Sequence, residues 1–254
     1  MAEPAFIRSQ ILADHGFTGI FTLREGGISP APFDAQNFGY GLGDSDEHIE
    51  QNLRRLTRAS SLPSVPHQAV QVHQTEILWC KGQGYMHRQQ ADILITDQSD
   101  TAIAVRVADC LPILLADPET GITAAVHAGW RGTAAGIAKK AVQAMRKHGA
   151  RSEKLLASLG PCIGPCCFAV GHDTALALQQ SIVGGEHCIS HAAKIHADLP
   201  ELNRLQLLEA GLSMHHIETN RACTVCESEH FFSFRRDGKQ TGRHLAIVAT
   251  AAST

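Results

Sequence analysis

The chain alternates short β-branched apolar runs with a few helical stripes, and the runs outnumber the stripes. Phe17 to Leu23 (FTGIFTL), ADILIT, TAIAVRVADC and Lys154 to Leu159 read as strands; in the third, Ile103, Val105 and Val107 alternate with smaller or polar residues. QAVQVHQTEILWC predicts a further strand that carries His73 near its middle or in a break. Helical spacing appears where Ile49, Leu53 and Leu56 share a face between Asp46 and Ala59, with Ser45 or Asp44 as the cap. A second helix is predicted over Ala134 to His148, burying Ile137, Ala141, Val142 and Met145 and ending at Gly149. Asp198 and Glu201 form a capping pair for a third, whose leucines at 199, 202, 205 and 208 recur every three residues until Gly211.

Between these elements lie Gly- and Pro-rich segments. REGGIS, where Arg24 leaves its strand, is a tight turn that lets backbone approach a ligand. PAPFDAQNFGYGLGDS predicts an ordered loop with Asn37 as its most useful polar group. GPCIGPCCFAVG fits no regular element, the pair His215-His216 reads as strand surface, and the tail from Cys223 reads as short strands around a charged turn.

The organising stretch is Ala104 to Gly136. Two apolar runs flank the turn DPETG, which sets them side by side in a sheet, with Cys110 at the end of the first approach and His127 near the end of the return; the distance between the two side chains is left to the tertiary fold. GWRGT follows, placing Arg131 at a strand-to-helix junction suited to an anion.

At 254 residues the chain has no linker-like segment and reads as one domain over 1–254. Charge is nearly balanced, 22 Lys and Arg against 25 Asp and Glu, and basic residues adjoin only in pairs such as Arg235-Arg236, so no nucleic-acid footprint is visible and small-molecule chemistry is favoured. The N-terminus lacks a basic region followed by an apolar one, and LPILLA is too short to span a bilayer; the expectation is a soluble cytoplasmic protein. Eight cysteines then read as reduced thiols, and fifteen histidines dilute the meaning of any one.

His73, Cys110 and His127 are the leading constellation. Two imidazoles and a thiolate suit Zn²⁺ or copper and leave a coordination position for water or substrate. Spacing alone does not separate this from the ordinary reading, in which a strand cysteine is a small core residue and a strand-end histidine a structural one. The lone CxxC of Cys223 and Cys226, with Cys162, Cys166 and Cys167, offers a structural zinc site or a thiol pair, although paired knuckles of the usual lengths are missing.

REGGIS, FDAQNFG, VHQTEI, VADCLPILL, VHAGWRGTAAGI, GPCIGPCCFAVG and FFSFRRDGKQTGR, in this order over nearly the whole chain, resemble the laccase-domain or polyphenol oxidase family of YfiH-like proteins. The resemblance implies a mixed α/β fold of layered β-sheets with outer helices, a class it shares with cysteine hydrolases. It implies a metal triad at His73, Cys110 and His127 with Zn or Cu, and places Cys223 near the active centre. The implied activities are phosphorolysis of purine nucleosides (adenosine, inosine, guanosine, methylthioadenosine), adenosine deamination and copper-dependent phenol oxidation. Peptidoglycan editing is also linked to the family, and there Cys110 would be a nucleophile with a histidine base.

Multicopper chemistry needs many paired histidines, and the chain has no His-x-His. The deaminase pattern His-x-Glu with Pro-Cys-x-x-Cys is also missing. For phosphorolysis, Arg24, Arg131 and one of Arg235 or Arg236 are the phosphate candidates, because guanidinium forks bind oxyanions bidentately; their ordinary reading is surface ion pairing. The partners expected are a purine nucleoside and phosphate, with no nucleic acid or membrane, in a monomer or small homo-oligomer.

Overall fold

The long strands are mostly apolar with no regular polar alternation because they are covered on both faces. Every residue of Phe17–Thr22, Leu111–Ala116 and Thr123–Ala128 is buried, as continuous β-branched and aliphatic runs require. The computed structural model describes residues 2–250.

Phe6–Arg8, Phe17–Thr22, His244–Thr250 and Ile103–Val107 form an antiparallel four-stranded sheet in that order. A six-stranded mixed sheet runs Ile217–Thr219, Leu156–Leu159, Leu111–Ala116, Thr123–Ala128, Ile93–Thr96 and Ile77–Trp79, with its two edge strands parallel to their neighbours. Between the sheets Phe17, Phe21, Val105 and Val248 pack on Leu94, Leu114 and Leu156. The far face of the smaller sheet, with Ile20, Leu245 and Ile247, is covered by Leu53 and Leu56 of helix Asp46–Ala59. Ile113, Leu115 and Val126 on the far face of the larger sheet pack against Ile137, Val142 and Met145 of Ile137–Lys147 and against Leu199 and Leu202 of Leu199–Glu209. The layers are therefore helix, sheet, sheet, helices, the mixed α/β layering expected from the sequence. No helix among the described residues is long and apolar enough to cross a membrane.

Capping explains which boundaries were readable. The Ser45 hydroxyl accepts the His48 N–H, and the Asp198 carboxylate accepts the Glu201 N–H at 2.9 Å, as expected. The helix predicted over Ala134 to His148 is instead two, Trp130–Ala134 and Ile137–Lys147, because Gly136 sits in the left-handed region (φ 75°) and breaks the run. The strand predicted around His73 divides into Gln68–Val70 and Ile77–Trp79, which join different sheets. His215-His216 lies in a 3-10 turn, Met214–His216, not on a strand, because the Ser213 hydroxyl caps the His215 N–H. The tail holds a short helix, Phe234–Asp237, capped by Ser233 on the Arg236 N–H, and one seven-residue strand where several short ones were expected.

His244, at the start of that strand, is fully enclosed. Its Nε2 accepts the Phe232 N–H at 2.8 Å, and burial, reinforced by the Arg24 charge, pushes its pKa down to about 3. The unfolded chain takes up this proton near pH 6.5, before the folded one does. The contribution is therefore fully present above about pH 6.5 and is lost as pH falls toward 3, amounting at most to about 5 kcal/mol. Urea melts at stepped pH should show this slope, and His244→Gln should flatten it.

Candidate functional site

The hairpin Leu111–Ala116 to Thr123–Ala128 fixes two of the three leading residues. Its DPETG turn closes through the Asp117 carboxylate, which accepts the Glu119 N–H at 2.8 Å. The resulting register sets Pro112 opposite His127, so Cys110, two positions earlier, lies at the open end beside that histidine. Alternation turns His127 to the inter-sheet side with Ala125, while Val126 and Ala128 face the helices.

His73 comes from the break between two strands. Its donor atom and those of Cys110 and His127 all lie within 4.8 Å of one another. Cys110 Sγ is 4.0 Å from His73 Nδ1, and the two imidazole centroids are 4.7 Å apart. A glycine makes the convergence possible: a Cβ on Gly129 would stand 2.8 Å from His73 Nδ1 and 3.2 Å from Cys110 Sγ.

Asp92 organises this cluster, and nothing in the sequence pattern singles it out. It is fully buried and accepts backbone N–H groups from Val72 (3.1 Å), His73 (3.0 Å) and Gln74 (2.9 Å). It also pairs with His127 Nδ1 at 2.7 Å. One carboxylate thus shapes the His73 loop and holds the His127 proton on Nδ1, leaving the Nε2 lone pair free. His73 (φ 59°) and Asp109 (φ 90°) occupy the left-handed side of backbone space, which non-glycine residues rarely adopt. Asp109 is held there by the Thr224 hydroxyl and the Arg235 N–H, both 2.6 Å from its carboxylate.

The electrostatics follow from burial and pairing. Burial alone would raise the Cys110 thiol, but His127 and then His73 outweigh it and hold the thiol below its ordinary value. Burial alone would lower His127, but the Cys110 sulfur and the Asp92 carboxylate raise it above the ordinary imidazole range. The Asp92 carboxyl, despite burial, is kept low by His127 and by the N–H groups of Gln74 and Val72. The arrangement favours ionisation of the thiol and sets oriented imidazoles and a buried counter-charge beside it.

A cavity of about 460 Å³ opens onto His73, Cys110 and His127 and is walled by apolar groups that include Trp130, Phe168 and Phe234. Arg235 lines it, with Nη1 bonded to the Cys167 and Ala169 carbonyls. Arg236 does not: its guanidinium bonds the Thr224, Val225 and Phe231 carbonyls. The other sequence candidates lie elsewhere. Arg24 grips Asp34 and the Ser228 carbonyl. Asn37 bonds Asp44 and accepts the N–H groups of Gly39 and Arg243. Arg131 is exposed and stacks over Trp130 at 4.3 Å. None of these three lines the cavity. Cys223 is buried outside it, among three other cysteines.

Two cavity arginines escaped the sequence reading. Arg106 is held by Gln68 and the Ala69 carbonyl, and burial lowers its pKa to about 10. Arg243 bonds the Thr241 and Gly242 carbonyls through Nη1. Arg243 ends the TGR motif and so had a signal; Arg106, in the middle of an apolar strand, had none.

The layered fold and this cavity define a class: an α/β protein with one thiol and two imidazoles, able to take a metal ion, at the base of an arginine-bearing pocket. The chain belongs to the family described as multi-copper polyphenol oxidoreductase laccase, whose model matches residues 18–251. It is 37% identical over 234 residues to the purine nucleoside phosphorylase YfiH of Escherichia coli, covering 92% of this chain and 93% of that one. It is 36% identical over 241 residues to the purine nucleoside phosphorylase YlmD of Geobacillus stearothermophilus, covering 89% and 88%. The crystal structure of that YlmD superposes with a TM-score of 0.88 over 97% of this chain and 96% of the other, at 32% identity.

Proposed function

We propose that the chain is a metal-dependent purine nucleoside phosphorylase that cleaves adenosine, inosine, guanosine and methylthioadenosine with phosphate and also deaminates adenosine. The observation that carries this reading is the meeting, in one cavity, of a His/Cys/His cluster, aromatic walls and three arginines. The names of the relatives agree with it.

The residues fit a metal. His73, Cys110 and His127 present three donors of the borderline-soft kind that Zn²⁺ and copper accept, with the Asp92 carboxylate fixing the His127 tautomer. Bound there, the ion supplies Lewis-acid polarisation of substrate or water. The chain's own residues do the rest. Trp130, Phe168 and Phe234 give the purine apolar faces to lie against and exclude water. Arg235 and Arg243 each fix Nη1 on backbone carbonyls, so the rest of each fork is oriented toward phosphate without further ordering cost. Asp109 holds the wall by pinning Thr224 and Arg235.

A second reading has its own support. Cys110, His127 and Asp92 stand in the order nucleophile, base and orienting carboxylate, the arrangement of a cysteine hydrolase acting on cell-wall peptides. Phenol oxidation by a single copper at the same cluster is weaker than either, for want of further paired histidines. A protein in which the cluster only holds structure is the non-enzymatic alternative.

The deciding experiment is incubation of metal-loaded protein with adenosine and with inosine, with and without phosphate. Free base released only with phosphate is expected, together with inosine formed from adenosine. Peptide hydrolysis by metal-free protein, abolished by alkylating Cys110, would favour the hydrolase, and no turnover at full metal occupancy would end the enzymatic reading.

A further inference from the structure

Outside the cavity the described residues hold two more thiol- or imidazole-rich groups. His67, Cys80 and His87 are accounted for without an ion, since the two imidazoles hydrogen-bond each other at 2.8 Å and burial pushes the Cys80 thiol up to about 12. The other group is different. Cys166 and Cys167, from the GPCIGPCCFAVG loop, meet Cys223 and Cys226, from the CTVC turn, with all four sulfurs within 4.8 Å of one another.

We propose that Cys166, Cys167, Cys223 and Cys226 form a second metal site, a tetrathiolate centre for one Zn²⁺ ion that ties together two loops beside the cavity. A tetrahedral ion with Zn–S bonds of about 2.3 Å requires sulfurs roughly 3.8 Å apart. Cys226 Sγ stands 3.7 Å from Cys166 Sγ and 3.4 Å from Cys167 Sγ, close to that edge. All four cysteines are free thiols, and these separations are well beyond the roughly 2.05 Å of a disulfide. The cluster is also too compact for a two-iron centre, whose terminal thiolates must stand further apart.

The backbone around Cys223 is arranged for a thiolate. Cys223 Sγ accepts the Gly164 N–H at 3.2 Å, and the N–H groups of Val225 and Cys226 in its own turn are also directed at it. A Cβ on Gly164 would stand 3.2 Å from Cys166 Sγ and 3.4 Å from Cys223 Sγ, a tight fit that glycine spares the two loops. Four thiolates around Zn²⁺ leave two negative charges, and two cations are at hand. Arg235 bonds the Cys167 carbonyl, and Arg236 bonds those of Thr224 and Val225. Cys166 and Cys226 are exposed, which gives the ion a way in. Binding exchanges thiol protons for the metal and involves no oxidation.

The site is linked to the cavity by short bonds. Thr224, between the two CTVC cysteines, donates to the Asp109 carboxylate, which also accepts the Arg235 N–H. An ion at the four cysteines would hold Asp109 in its left-handed conformation next to Cys110.

The test uses Cd²⁺ as probe on full-length, reduced, metal-stripped Cys110→Ala, in which the first cluster has lost its thiolate. One Cd²⁺ per chain is expected, with ultraviolet charge-transfer absorbance matching four thiolates. Adding Cys226→Ser, and separately Cys166→Ser, should weaken binding at least about 10-fold while circular dichroism stays unchanged. Zn²⁺ should raise the Tm of Cys110→Ala and not that of the double variants. Absence of Cd²⁺ uptake by reduced Cys110→Ala, absorbance of two thiolates or fewer, or uptake indifferent to Cys226→Ser would overturn the proposal. So would a Cys167–Cys226 disulfide in anaerobically purified protein that takes up no Cd²⁺.

Discussion

Cys110→Ala should remove the ion from the His73/Cys110/His127 cluster and lower kcat/KM for inosine phosphorolysis by more than about 100-fold, since even a residue that merely orients a ligand typically costs 10–100-fold in affinity or activity. The fold should survive. Cys110 precedes its strand and is only partly buried, so its removal opens no cavity in the core, and His127 keeps the Asp92 carboxylate as its partner. A change in Tm of a few degrees at most is expected in the metal-free protein. His127, deprived of the sulfur that raises it, should titrate at lower pH than in the parent, which NMR of the imidazole can follow. Full metal occupancy and undiminished turnover in the variant would refute the ligand assignment.

Asp92→Asn should be nearly as damaging to activity and far more damaging to stability. One carboxylate oxygen serves His127 Nδ1 and the His73 N–H, and the other serves the N–H groups of Val72 and Gln74. An amide can satisfy only one of these two pairs. If its oxygen faces Val72 and Gln74, its NH₂ opposes the His73 N–H and pushes the His127 proton onto Nε2, the nitrogen needed for a metal. If it faces His127, two partly buried N–H groups lose their acceptor, at up to about 3 kcal/mol each. Metal affinity should fall about 10–100-fold, and stability by several kcal/mol. Metal titration and urea melts of the same preparation check both. A variant with parental melting and parental affinity would remove Asp92 from the account.

The two predictions differ in where their residues could be found. Cys110 and His127 were legible through the motifs VADCLPILL and VHAGWRGTAAGI, and the turn signal between two apolar runs set their strands side by side, although the fold had to set the distance between them. Asp92 was not legible, since an aspartate opening a strand looks like any other until three N–H groups from a distant segment converge on it. The same applies to Arg106, which gave no sign of facing a cavity. Arg24, Asn37 and Arg131 showed the reverse. Their motifs drew attention, and the structure ties the first two into backbone and carboxylate bonds and leaves the third exposed, stacked on the half-buried Trp130.

What the chain determined by itself was whatever depends on near neighbours: strand runs buried on both faces, the Ser45 and Asp198 caps, the central hairpin and the motifs that carry the family likeness. Tertiary structure decided which distant groups meet. The His73 break, the Asp92 carboxylate, the cavity arginines and the four-cysteine cluster all depend on segments brought together from across the chain. Packing of the two sheets and their helices sets those approaches within a few ångströms, and no pattern with a period of two or of 3.6 residues carries such distances.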